Sequence, residues 1–205
     1  MTLKIHGIPK SRAFRNYWVC AELGIPYQAV ETNFTEGVKA PAFLAINPNG
    51  RIPAIDDDGF TLFESFAINL YLAKKHGLGK IYPAELHGEA KCWQWTIWGI
   101  TELEKLLFDL TTNRVIKPPG ERDAKLADAA ESALARPLAV LDKELATKPW
   151  ILGSEFSVAD LNVAGTMYAS WFNKIDYAKW PNVKAWQERV FNRPGALAAR
   201  KLREG

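Results

Sequence analysis

An α/β domain followed by an all-α domain is the fold class this sequence predicts, on three observations. Residues 3–32 read strand, helix, strand; Asp58-Gly59 marks a tight hairpin ahead of a further helix; and beyond Pro83 the periodic segments all have helical spacing. With 205 residues, 48% of them hydrophobic, the chain can fill two small cores.

Residues 3–7 alternate apolar and polar and predict a first strand, and residues 7–12 a loop. Phe14, Trp18 and Ala21 share one face of a helix over residues 13–23, which Gly24 stops. Residues 26–32 give a second strand, so the start is β-α-β, which calls for a parallel pair and a right-handed crossover. Residues 35–45 are a loop or short irregular helix. Residues 51–55 form a short strand interrupted by Pro53, Asp58-Gly59 turns it back, and residues 60–63 return. Ser65 is placed to cap a helix over residues 66–76. The order β-α-β-α-β-β-α matches a thioredoxin-like domain. Residues 77–83, rich in Gly and ending in Pro, read as a linker.

The helical part follows. Residues 89–110 carry Trp93, Ile97, Ile100, Leu103, Leu107 and Leu110 at helical spacing, with Glu102, Lys105 and Asp109 on another face. Residues 122–147 form a long helix that Pro137 should kink. Ser157 and Asp160 make an Asp version of a capping box, with Phe156 and Leu161 as its hydrophobic staple, ahead of a buried helix over residues 158–170. Pro181 opens another helix, Arg193-Pro194 ends it, and a basic tail remains. The expected domains are 1–78, a linker 79–88, and 89–205.

Composition removes several function classes. A net charge of +3, without a basic cluster interleaved with aromatics, gives no case for nucleic acid. No apolar run is long enough to span a bilayer, and no leader is visible after Met1. His6, His76 and His87 lack metal-ligand spacing, so no metal is expected. Cys20 and Cys92, far apart and without a CxxC, are not a disulfide framework; they fit a reducing compartment and a cytoplasmic protein.

The chain is organised around residues 47–69. Asn47-Pro48-Asn49-Gly50 is a turn cluster, Ile52-Pro53 a bend, and Glu64-Ser65 a strand-to-helix junction whose free N–H groups suit a carboxylate. In order and spacing this run closely resembles the glutathione site of the glutathione transferases. The residues from Gly7 through Ser11 to Arg15 look like the serine-type members, phi-like, theta-like or bacterial. The capping-box segment resembles their helical domain, so the likeness covers nearly the whole chain.

That resemblance implies a cytosolic, usually homodimeric enzyme with glutathione as cosubstrate. A free thiol, with a pKa near ~8.5, needs help to ionise at neutral pH. Ser11, in the loop before the first helix, would donate a hydrogen bond to the sulfur; Arg12 is a neighbouring charge that could do so instead, and Tyr17 a rival hydroxyl inside the helix. Ile52, preceding a Pro53 that is cis in the family, would pair its backbone with the cysteinyl unit. Glu64 would accept from the γ-glutamyl ammonium and Ser65 donate to its carboxylate. Lys39 would meet the glycine carboxylate, and Arg51 stands beside the bend. A pocket for an apolar electrophile is expected between the domains, with Pro9, Phe34, Phe108 and Trp171 as candidates. Trp93, Trp95 and Trp98 cover more than one side of their helix, one for the core and one for a second subunit. Cys20, turns into its helix, is expected to be inert. The competing readings are another glutathione-dependent reaction, such as isomerisation, peroxide reduction or dehalogenation, and a glutathione-binding scaffold with no chemistry.

Overall fold

The computed structural model describes residues 2–205, which divide into two compact units, residues 2–82 with 192–205, and residues 83–191. In the first unit β1 (Leu3–His6), α1 (Phe14–Leu23) and β2 (Tyr27–Val30) form the expected β-α-β start. Gly24, at φ 64°, ends α1 in the left-handed conformation that glycine adopts without a Cβ clash. A 3₁₀ turn (Gly37–Lys39) and the single-turn α2 (Pro41–Leu44) replace the predicted irregular stretch. The hairpin β3 (Ala54–Asp57) and β4 (Phe60–Phe63) turns at Asp58 and Gly59, both at positive φ, and Asp56 Oδ1 accepts from Gly59 N at 2.7 Å. The sheet order is β2-β1-β3-β4, with β1 parallel to β2 and antiparallel to β3. This is the thioredoxin-like arrangement.

α3 (Ser65–Gly77) packs on α1. Ser65 is its first helical residue and not its cap: the flanking residue is Glu64, and the Ser65 hydroxyl is turned to Arg15. The predicted linker is a compact turn. Gly79 N donates to Tyr82 O at 2.8 Å, Tyr82 N donates to Gly77 O at 3.0 Å, and Ile81 and Tyr82 are buried.

The second unit is helical. α4 (Leu86–Trp98) runs into a π-helical stretch over Gly99–Glu104, then α5 (Lys105–Thr111) and a second π stretch over Thr112–Ile116. The sequence reading put Trp93, Ile97 and Ile100 at helical spacing with Leu103, Leu107 and Leu110, as one apolar series. The structure separates them: the first three are 50%, 53% and 41% exposed, whereas the leucines are buried. The buried line runs through Cys92, Trp95, Thr96 and Gly99 to Leu103. A π turn takes an extra residue and rotates the faces, so a single 3.6-residue stripe does not describe this segment. α6 (Ala124–Glu144) is continuous through Pro137 and is capped by Asp123, whose carboxylate accepts from Leu126 N at 2.9 Å. α7 (Val158–Phe172) is the central helix, almost wholly buried, and α8 (Pro181–Phe191) packs on it.

The last helix corrects the sequence reading. Residues 194–204 are not a tail but α9 (Pro194–Glu204), with Pro at the N-terminal turn and Ala196 and Ala199 buried. α9 belongs to the first unit and lies along α1. Arg193 forks onto Glu22, with Nε 3.1 Å from Oε1 and Nη2 2.9 Å from Oε2. A Cβ on Gly195 would lie 2.8 Å from the Glu22 nitrogen, so only glycine permits this approach.

Candidate active site

The site is built by three segments of the first unit. The first is the bend. Asn47 shapes it: its Nδ2 donates to Arg51 O at 2.5 Å and its Oδ1 accepts from Asn49 N at 3.1 Å, while Gly50 N donates to Asn47 O at 3.0 Å. Gly50 is at φ 59°, and a Cβ added to it would lie 3.2 Å from Val38 O, so a side chain there would push against the neighbouring turn. The Ile52-Pro53 peptide is cis, and Ile52 packs with Val38, Phe43 and Ala54. Among the described residues no hydrogen bond involves the Ile52 main chain. An open backbone at a bend beside a sheet is the surface that an extended peptide adds to.

The second segment is the start of α3. Glu64 is exposed and sits at φ 70°, ψ 112°, a conformation uncommon for a residue with a Cβ. Such outliers persist where surrounding structure enforces them. The enforcing contacts are visible one residue on. Arg15 Nη1 donates to Ser65 Oγ at 3.1 Å, and the Arg15 guanidinium lies 4.3 Å from the centroid of the Phe66 ring. Asn16 Nδ2 donates to Ser65 O at 2.8 Å and to Asn69 Oδ1 at 2.7 Å. Arg15 and Asn16 are buried, so a cation and an amide from α1 pin the first turn of α3. Anions are favoured at such a helix start.

The third segment is the turn before α1. Ser11 is half-buried, its Oγ donates to Ile8 O at 2.7 Å, and it accepts from Ala13 N at 3.0 Å. The cap-like bond and the exposed lip of the turn therefore involve the same hydroxyl. Arg12 is exposed. Tyr17 is excluded as the rival hydroxyl. It is buried, its OH donates to Gly7 O at 3.2 Å, and burial first, then Tyr27 and Cys20, push its pKa up to about 12. Burial pushes both the Cys20 thiol and the Cys92 thiol up to about 12, so neither is a thiolate at neutral pH.

The remaining candidates lie further out. Lys39 and Arg51 are exposed, at the end of the 3₁₀ turn and beside the bend. Pro9 is half-buried in the serine turn and Phe34 is 60% exposed, both in the first unit. In the second unit Phe108 is 60% exposed on α5, whereas Trp171 packs against Phe191 with ring centroids 4.5 Å apart. The sequence gives Arg15 and Asn16 no role in the site and names Asn47 only as part of a turn cluster. Asn47 carried a signal, the turn cluster that it opens. Arg15 and Asn16 carried none, because their roles depend on where α1 crosses α3. Among the described residues no group of His, Cys, Asp and Glu could hold a metal.

Sheet order, bend and helix start define a thioredoxin-like domain, which a helical domain follows in the chain. The comparisons agree. Residues 1–74 match the model of the glutathione S-transferase N-terminal domain, and residues 103–194 that of its C-terminal domain. The chain is 32% identical over 184 residues to glutathione S-transferase GstB of Escherichia coli, covering 88% of this chain and 87% of that one. It is 34% identical over 186 residues to the disulfide-bond oxidoreductase YfcG of the same organism, covering 84% and 82%. Its fold superposes with a TM-score of 0.88, at 30% identity and 97% and 96% coverage, on the glutathione-bound theta class glutathione S-transferase of Xanthomonas axonopodis pv. citri. The chain is an enzyme of the glutathione S-transferase family, related to its phi, theta and bacterial GstB-type members.

Proposed function

We propose that this protein binds reduced glutathione in the first unit, ionises its thiol with the help of Ser11, and directs the thiolate at apolar electrophiles. The reading is carried by one observation: the cis bend at Ile52-Pro53 and the pinned start of α3 at Ser65 belong to the same small sheet unit as the Ser11 turn. Glutathione lies extended, its cysteinyl unit paired with the Ile52 backbone. Its γ-glutamyl carboxylate sits at the Ser65 turn, where Arg15 adds positive charge, and Glu64 takes the ammonium. Lys39 and Arg51, exposed cations, serve the glycine carboxylate. On binding, the Ser11 proton swings from Ile8 O to the sulfur while Ala13 N keeps the oxygen in place. The thiolate then attacks carbon, the new C–S bond forming as a leaving group departs or a conjugated double bond takes up the electron pair. Positioning and charge stabilisation supply most of the acceleration. In the first unit Pro9 and Phe34 are the residues offered to the electrophile; Trp171 is committed to packing.

The test is reduced glutathione added near neutral pH, followed by the ultraviolet thiolate band. A band confirms activation. Binding without a band leaves a carrier, and no binding removes the reading. Glu64→Ala should weaken glutathione at least about tenfold, the loss of one charged partner, at little cost in stability because the side chain is exposed. Unchanged affinity in a titration would take Glu64 out of the site.

One observation favours a second reading, the 34% identity to a disulfide-bond oxidoreductase. There the glutathione thiolate attacks a disulfide sulfur, releasing one thiol and leaving a mixed disulfide. With Cys20 and Cys92 buried, the protein supplies no thiol of its own. Mass analysis separates the readings: a thioether product supports transfer, a mixed disulfide the alternative.

A homodimer and a cytoplasmic location complete the proposal. The exposed Trp93, Ile97 and Ile100 lie at helical spacing on one side of α4 and its π extension, an apolar stripe that suits a second copy. Sedimentation at micromolar concentration should give the dimer mass; a single monomeric species would count against it.

A further inference from the structure

The C-terminal helix reaches the serine turn. Arg203, in the last turn of α9, donates from Nη1 to Pro9 O at 2.7 Å and to Ser11 O at 2.8 Å, and its guanidinium lies 5.4 Å from the Phe14 ring centroid. At the other end of α9, Arg193 is forked onto Glu22 near the end of α1. The two clamps make α9 antiparallel to α1 and hold it at both ends. Between them, Gly195, Ala196 and Ala199 are buried and permit the close approach.

The turn that Arg203 grips is small. Ser11 N donates to Ile8 O at 3.1 Å, Ser11 Oγ donates to the same carbonyl, and Phe14 N donates to Ser11 O at 3.2 Å. Pro9 O and Ser11 O converge on one nitrogen, and two carbonyl dipoles aimed at one point repel unless a cation lies between them. Removing that cation leaves Ser11 O with Phe14 N as its donor and Pro9 O without the guanidinium, which loosens the Ser11 peptide plane and with it the direction in which the hydroxyl points.

We propose that Arg203 is a positioning residue for glutathione activation: it fixes the Pro9–Ser11 turn, so the aim of the Ser11 hydroxyl depends on the C-terminal helix. The inference rests on the role of Ser11 proposed above. It also gives the basic end of the chain a task in the reaction, although no residue of α9 need touch glutathione.

The experiment titrates the thiolate band of bound glutathione against pH, with kcat and KM, in full-length Arg203→Ala, Arg203→Lys, Arg193→Ala, Ser11→Ala and the Ser11→Ala/Arg203→Ala double variant. Arg203→Ala should raise the pKa of the bound thiol by about one unit and lower kcat about tenfold near neutral pH, with KM for glutathione within about twofold. Arg203→Lys should recover part of this, because it restores the charge without the planar head. Arg193→Ala loosens the same helix without touching the turn and should leave the thiol pKa unchanged. The double variant should titrate like Ser11→Ala alone, because a residue acting through Ser11 has nothing left to position. An unchanged thiol pKa in Arg203→Ala, or an effect that adds fully to Ser11→Ala, overturns the inference and leaves Ser11 standing. An unchanged pKa in Ser11→Ala overturns both.

Discussion

Ser11→Ala is expected to lower turnover with glutathione by roughly 10²–10³-fold, the range for losing one hydrogen-bond donor aimed at developing charge. Affinity for glutathione should stay within about twofold, because in the proposed binding mode the Ile52 bend and the Ser65 turn hold the tripeptide and this hydroxyl does not. The direction of the pH effect follows from the chemistry. In the proposed role the hydroxyl donates to the thiolate more strongly than to the thiol and so lowers the thiol pKa; without it the pKa should climb back toward the free value near ~8.5. The acidic limb of the kcat profile therefore moves to higher pH, and the loss shrinks as pH rises. The substitution also removes the bond from Ser11 Oγ to Ile8 O and the acceptor for Ala13 N, a cost of about 1 kcal/mol in stability. Thermal unfolding should register that cost, and it is too small to explain the rate. A full rate in the variant would pass the role to Arg12, the exposed neighbour, since the Tyr17 hydroxyl is committed to Gly7 O.

The bend and the start of α3 are legible in the sequence because they are written in backbone chemistry. Asn47, Gly50, Pro53, Glu64 and Ser65 act through turns, a fixed φ and a helix start, and those constraints sit within a few residues of each other. The same locality made the hairpin at Asp58-Gly59 and the capping box at Ser157 readable. Arg15 and Asn16 were not legible. Each looks like an ordinary polar residue in an apolar helix until α3 is laid across α1, when both turn out to be buried against Ser65.

Two features escape a reading by hydrophobic periodicity, each for its own reason. Residues 89–110 carry two apolar stripes, and periodicity alone merged them: Trp93, Ile97 and Ile100 belong to the exposed stripe, and the π stretch at Gly99–Glu104 shifts the buried one. The end of the chain was taken for a tail because its buried face is made of Gly195, Ala196 and Ala199, which have almost no hydrophobic signal. Small residues mark close approach and not burial of large area, so the helix shows itself only through what it approaches, Glu22 and the Ser11 turn.

Asp160→Ala should be the most damaging substitution for stability. The carboxylate is fully buried and accepts four hydrogen bonds: Oδ1 from Ile151 N at 2.8 Å and Trp186 Nε1 at 2.9 Å, Oδ2 from Ser157 N at 3.0 Å and Ser157 Oγ at 2.9 Å. Burial pushes this carboxyl above its ordinary pKa, and those same donors pull it back. One side chain thus ties the start of α7 to the loop at Ile151 and to α8. Alanine leaves buried donors with no acceptor, and breaking a buried charged network by removing one member costs about 3–5 kcal/mol. In a chain of this length that corresponds to a fall in Tm on the order of 10 °C. Ser157→Ala, which removes a single donor and leaves the carboxylate its other partners, should cost only about 1 kcal/mol. Thermal unfolding followed by circular dichroism gives the ranking. If Asp160→Ala melts within about 2 °C of the wild type, less than 1 kcal/mol in a chain this size, the network does not hold the helical unit, and the capping box is local decoration on a helix that packing alone would secure.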